Sequence, residues 1–199
     1  ALATRMNTDS LQPVFLTDRE YENFYEGFSN KIVWPLFHYF KQYASYKKTY
    51  WEAYHQVNER FCEEIQKIAR PDDVFWVHDY QLMLLPKMLR DIYPDATIGF
   101  FLHIPFPSYE LFRSLPWRRE VLEGILGADL VGFHTYDYVR HFLSATTRIL
   151  GLNHSLGKVS LPGRVAEVDS FPMGIDYDKF AKAVFEKETI REIIELRQQ

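Results

Sequence analysis

Three histidines and an aspartate have the residue types to hydrogen-bond a polar ligand or move protons. His78-Asp79 closes the apolar run Val74–Val77, His103 closes Ile98–Leu102, and His134 closes Leu130–Phe133. Each run is short, rich in β-branched or aromatic residues, and bounded by turn or helix signals, the pattern of a fully buried strand. In an open parallel sheet the carboxyl ends of the strands share one edge, and ligands bind in the crevice beyond it. Three strands that each release an imidazole at that edge, one with a carboxylate beside it, predict a polar site on an apolar scaffold. A lone histidine there more simply caps a strand and hydrogen-bonds a loop. A metal that activates water is an alternative use of His78, Asp79, His103 and His134, although ligands from separate strands leave no spacing signature.

The elements that must position these residues are legible on both sides. Leu82–Asp91 has good helix formers and is stopped by Tyr93-Pro94, so strand, helix and strand form a βαβ unit with parallel neighbours. After His103, Ile104-Pro105-Phe106-Pro107-Ser108 is stiffened by two prolines. Ser108 is placed to cap a short helix over Tyr109–Arg113. Pro116 opens another with Val121, Leu122, Ile125 and Leu126 inward and Gly127 as its C-cap. Arg118 and Arg119 read as solvated surface. Thr135 is placed to cap a helix over Tyr136–Leu150, closed by Gly151.

Upstream, Val14–Leu16 reads as a short strand, and Thr17 with Glu20 has capping-box spacing. Tyr21–Phe40 is dense in aromatic residues and broken at Ser29-Asn30. Such density suits core packing or a sugar-binding face. Residues 47–70 predict a helix with one apolar stripe of Tyr50, Tyr54, Val57, Phe61, Ile65 and Ile68. Downstream, 152–164 reads as a loop or small hairpin and Val165–Phe171 as a strand. Residues 172–176 form a turn whose Asp176 caps the next helix, and Phe185–Gln199 is a charged helix.

The 199 residues suit one domain. The chain is 47% hydrophobic, 25% charged and 17% aromatic, with a formal net charge of −4 and no basic tract, which argues against a nucleic-acid partner. Cys62 is the single cysteine, so no disulfide framework is available and a reducing cytoplasm is expected. No apolar run has the length of a membrane span. There is no GxGxxG, P-loop or GxSxG. The chain begins ALATRMNTDS and ends within a charged helix, as expected of a piece of a longer protein.

The motifs VFWVHDYQLMLLP, GFFLHIPFPSYELFRSLP, ADLVGFHTYDYVRHFLSATTRILG and FPMGID, with YENFYEGFSNKIVWPLFHY upstream, together resemble the trehalose-6-phosphate synthase family over nearly the whole chain. The resemblance implies a retaining GT-B glycosyltransferase of two Rossmann-like lobes. Such an enzyme moves glucose from UDP-glucose to glucose 6-phosphate and makes α,α-trehalose 6-phosphate without a metal or other cofactor. Residues 1–199 would be a single α/β acceptor-side lobe, a Rossmann-like parallel sheet flanked by helices. It would lack its first strand and loop and the whole nucleotide-binding second lobe, its partner in the parent chain, so the fragment alone is expected to be inactive.

By the same resemblance, Asp79 would hydrogen-bond hydroxyls of the acceptor glucose, and Tyr25 and Trp34 would line the acceptor pocket, Tyr25 near the phosphate. His103 would contact the donor hexose. Asp79 and His103 are thus the implied catalytic residues, and all four are substrate-binding. The leaving phosphate would help take the acceptor's proton. Many family members carry histidine where this chain has Gln81, which cannot titrate and is given no catalytic role. Composition and hydropathy imply no nucleic-acid partner and no membrane, and an oligomer is possible. A catalytically silent, regulatory member that binds sugar phosphate is the alternative within the family. A pure interaction domain is the alternative outside it.

Overall fold

The computed structural model describes residues 11–198. A single sheet runs in the order β1-β2-β3-β6-β5-β4. Its strands are β1 Val74–His78, β2 Thr97–Phe101, β3 Leu130–Phe133, β4 His154–Ser155, β5 Lys158–Leu161 and β6 Arg164–Ser170. The first four in that order are parallel neighbours, with Trp76 beside Gly99, Gly99 beside Leu130, and Leu130 beside Glu167. The residues read as a loop or hairpin supply β4 and β5, which pair antiparallel and add a mixed margin to the parallel sheet.

The helices are α1 Asp18–Tyr21, α2 Trp34–Phe37, α3 Lys48–Gln66, α4 Leu85–Ile92, α5 Tyr109–Phe112, α6 Arg118–Ile125, α7 Tyr136–Leu150, α8 Tyr177–Ala183 and α9 Lys187–Arg197. Among the described residues, no helix is long and apolar enough to cross a membrane. The core lies between helices and sheet, where Tyr54, Phe28, Phe37, Phe100, Phe106, Phe112, Phe133 and Phe142 are fully buried.

Four local expectations change. Val14–Leu16 is not a strand: no sheet edge reaches it, and the carbonyl of Phe15 instead accepts the Arg60 guanidinium of α3 at 3.0 Å. Ser29-Asn30 does not break the aromatic segment. Glu22–Val33 is a π-helix joining α1 to α2, in which the Trp34 N–H donates to the Ser29 carbonyl five residues back. The wider turn keeps Phe24, Phe28, Ile32 and Val33 on the core side. The helix expected from Leu82 begins at Leu85, because side chains of α3 hold the backbone of the preceding turn (below). Lastly, β1 is not fully buried. Val74 is 68% and Trp76 69% exposed, since β1 is an edge strand and the face carrying Trp76 is uncovered among the described residues.

Gly127 also differs in its role. The residue after α6 is Leu126, in right-handed conformation, and Gly127 instead permits a close backbone approach to α4. Gly151 does end α7 in left-handed conformation, φ 74°, with its N–H on the Thr147 carbonyl. A β-carbon there meets nothing within 4 Å, so Gly151→Ala isolates the conformational cost, about 1 kcal/mol. Chemical denaturation should show a lower midpoint with an unchanged slope.

The Thr17 capping box forms as expected: the Glu20 N–H donates to Thr17 Oγ1, and the Thr17 N–H donates to Glu20 Oε2 at 2.8 Å. Arg60 makes two further bonds to Glu20, one of them at 2.8 Å. Chiefly the Arg60 hydrogen bond, then the Thr17 N–H, lowers the Glu20 pKa from 4.5 to about 2. Between those values the unfolded chain binds more protons than the folded one. The contribution is therefore full above about pH 4.5 and fades as pH falls toward 2. A pH series of unfolding midpoints should lose part of its acid slope in Glu20→Gln.

Candidate active site

The ladder outlasts β1 by one residue: the Asp79 N–H donates to the Phe101 carbonyl at 2.8 Å. There the backbone enters the left-handed region, φ 72°, which aspartate and asparagine tolerate best among residues with a side chain. The Asp79 carbonyl accepts the Leu82 N–H at 3.1 Å, closing a tight turn. Its carboxylate Oδ1 accepts the backbone N–H of His103 at 3.1 Å. Asp79 thus clasps the ends of β1 and β2, and its second oxygen has no hydrogen bond among the described residues.

His78 and His103 meet directly, Nδ1 to Nε2 at 2.9 Å. His134 stands edge-on to His103 with ring centres 5.6 Å apart. Partial burial pushes the His103 pKa below its ordinary value. The Asp79 charge opposes that shift, while His78 and His134 add to it. A neutral imidazole at neutral pH follows, able to donate from one nitrogen and accept at the other. Among the described residues, no group of three or more His, Cys, Asp or Glu is arranged to hold a metal ion. The His78–His103 bond also occupies one ring nitrogen of each, so the geometry gives the metal reading no support.

The aromatic residues approach from the π-helix and α2. Trp34 is 45% exposed, and its ring lies 4.2 Å from His38 and 5.6 Å from Tyr80. Tyr80, next to Asp79, donates its hydroxyl to Asn30 Oδ1 at 3.1 Å. Burial chiefly, then Tyr25 and Asp79, push its pKa up to about 12, so it remains a neutral donor. Tyr25 is half-buried and stacks on Tyr21 at 5.2 Å. Of the sequence-derived set, His78, Asp79, His103 and His134 come together at the strand ends and Trp34 is joined to Asp79 through Tyr80, whereas Tyr25, among the described residues, makes its aromatic contact with Tyr21 and none with the strand-end residues.

The loop after His103 is pinned from two sides. The Tyr39 hydroxyl accepts the Ser108 N–H at 2.9 Å, and His141 Nδ1 pairs with the Phe106 carbonyl at 3.0 Å. Ser108 occupies the first position before α5 without a capping side-chain bond. Sequence reasoning missed Asn30, Tyr39, Tyr80 and His141, whose partners lie far off in the chain. The signal available for Tyr39 is its position between two aromatic neighbours in a loop. Beside the imidazoles, an open apolar hollow of about 420 Å³ is lined by Trp76, Gly99, Phe101, Leu130, Phe171 and Met173, with His78 and His103 at its polar end.

The α/β lobe gathers a clasping aspartate, three imidazoles and a half-exposed indole at its carboxyl edge, side chains of the class that can hydrogen-bond and stack on a polar, ring-bearing ligand. The chain belongs to glycosyltransferase family 20, whose model matches residues 3–199. It is 51% identical over 176 residues to the α,α-trehalose-phosphate synthase (UDP-forming) of Schizosaccharomyces pombe, a match covering 86% of this chain and 34% of that protein. Among solved structures, it resembles the trehalose-6-phosphate phosphatase N-terminal domain of Candida albicans (TM-score 0.84, 36% identity, 99% of this chain and 44% of that one). It also resembles the α,α-trehalose-phosphate synthase (UDP-forming) of Burkholderia vietnamiensis (TM-score 0.83, 35% identity, 92% and 39%). The chain spans between 25% and 39% of the length of the first curated relatives. The α/β lobe of GT-B type expected from the motifs is the fold of this chain.

Proposed function

We propose that the parent polypeptide transfers glucose from UDP-glucose to glucose 6-phosphate, forming α,α-trehalose 6-phosphate. The clasp at the strand ends carries this reading: Asp79 bonds the His103 N–H through one oxygen and presents the other to a ligand. In this account Asp79 accepts hydroxyl protons of the acceptor glucose, Trp34 packs on its ring, Tyr25 faces its phosphate, and His103 donates to the donor hexose. Such groups work by positioning and by stabilising developing charge. The kinship with UDP-forming synthases at up to 51% identity supports the same substrates.

The reading requires a second, nucleotide-binding lobe from the parent polypeptide, so residues 1–199 alone are expected to be inactive. It also places the protein in the cytoplasm, in keeping with a single, buried, unpaired cysteine. The test is UDP release by the parent from UDP-glucose. Release that requires glucose 6-phosphate supports the proposal, and none from folded protein overturns it. One observation favours a second reading, a sugar-phosphate-binding regulatory member: a closely similar fold stands as the N-terminal domain of a trehalose-6-phosphate phosphatase. Binding of glucose 6-phosphate without transfer is its expected result.

A further inference from the structure

The turn that carries Asp79 is held from beneath by two buried polar side chains of α3. The Tyr54 hydroxyl donates to the Tyr80 carbonyl at 2.8 Å and accepts the Met83 N–H at 2.9 Å. Asn58 Nδ2 donates to the Gln81 carbonyl at 3.1 Å and to the Tyr54 carbonyl, one helical turn back, at 2.9 Å. Both side chains are fully buried; the Tyr54 hydroxyl and Asn58 Nδ2 make the bonds that offset the cost of burial, while Asn58 Oδ1 has no partner among the described residues. Residues 80–84 form no helix or strand, so these bonds replace the regular ladder where the backbone has left β1 through a left-handed aspartate. Phenylalanine and leucine would fill the same space without fixing any peptide group.

We propose that Tyr54 and Asn58 are positioning residues for Asp79: they fix the peptide groups of Tyr80, Gln81 and Met83, and through that turn hold the Asp79 carboxylate on the His103 N–H. The catalytic part of this rests on the function proposed above, while the positional part does not. Loosening the turn lets Asp79 relax out of φ 72° and part from His103, so acceptor use suffers without any change in a group that touches substrate.

The experiment is a pair of measurements on the parent protein with Tyr54→Phe and Asn58→Leu. First, hydrogen exchange resolved to single amides compares His103, held by the Asp79 carboxylate, with Ile98, held by the Asp129 carboxylate at 2.8 Å. The expected result is at least tenfold faster exchange at His103 with Ile98 unchanged. Unchanged His103, or equal acceleration of both, overturns the proposal. Second, kcat/KM for glucose 6-phosphate is measured for Tyr54→Phe alone and in an Asp79→Asn background. A tenfold loss that shrinks to less than threefold once Asp79 is replaced is expected, and equal losses in both backgrounds overturn it. A wild-type parent without transfer would sink the proposed function and leave amide exchange to decide the positioning.

Discussion

If the parent protein acts as proposed, Asp79→Asn in it should lower kcat/KM for glucose 6-phosphate by about 100-fold or more while leaving the fold intact. Asparagine accepts the left-handed backbone almost as readily as aspartate, so the turn at φ 72° is kept and only the charge is lost. The remaining amide oxygen can still take the His103 N–H, now bonded at 3.1 Å to Oδ1. The free carboxylate oxygen is then replaced by an NH₂ group that cannot accept a hydroxyl proton. Hydrogen bonds to a charged group contribute roughly 1.5–3 kcal/mol each, and about 1.4 kcal/mol is a factor of ten, so two hydroxyl donors lost from that one oxygen amount to about 100-fold at the lower end of the range. Steady-state kinetics with varied acceptor checks it. Activity within threefold of wild type would remove Asp79 from the site.

Gly127→Ala should be strongly damaging although it lies outside the site. A β-carbon at Gly127 would lie 2.2 Å from the Lys87 nitrogen and 2.4 Å from the Pro86 carbonyl carbon. Both are backbone atoms in the first turn of α4, so no side chain can swing aside. At Gly124, one turn earlier on α6, an added β-carbon would likewise lie 2.4 Å from the Met83 carbonyl oxygen. The two helices must separate to admit the methyl group, which also disturbs the turn after Asp79. Overpacking typically costs about 1–3 kcal/mol and occasionally more, and backbone on the receiving side puts this case at the upper end. For a chain of this size that lowers Tm by roughly 6–12 °C. A thermal shift under 2 °C would mean that α4 and α6 are not locked together.

Much of this architecture is written in local pattern. The three apolar runs became β1, β2 and β3 because short β-rich segments between turn signals have few alternatives, and their polar endings placed His78, Asp79, His103 and His134 at one edge. Thr17 and Asp176 are legible as caps, and Asp176 accepts the Lys179 N–H at 3.1 Å; Ser108 and Thr135, read as caps by the same local rule, occupy the N-cap positions without a side-chain bond. What escaped depends on partners distant in sequence. Val14–Leu16 has strand composition, but a strand exists only beside another edge. The apolar Trp76 gives no sign that its face of the sheet is uncovered. Gly127 looks like a helix terminator until α4 is packed against it. Asn58 sits on the buried side of α3, where periodicity expects an apolar residue, and only the turn it supports, 23 residues on, explains it.

The central claim, that this lobe presents glucose 6-phosphate to a glucosyl donor, is tested most directly by the product itself. The parent protein should be given UDP-glucose and glucose 6-phosphate, and the product examined by proton NMR. Two α-anomeric signals of a single α,α-linked disaccharide phosphate, formed with stoichiometric UDP, are the predicted result. Free glucose and UDP, or a disaccharide bearing a β-anomeric signal, would contradict the account.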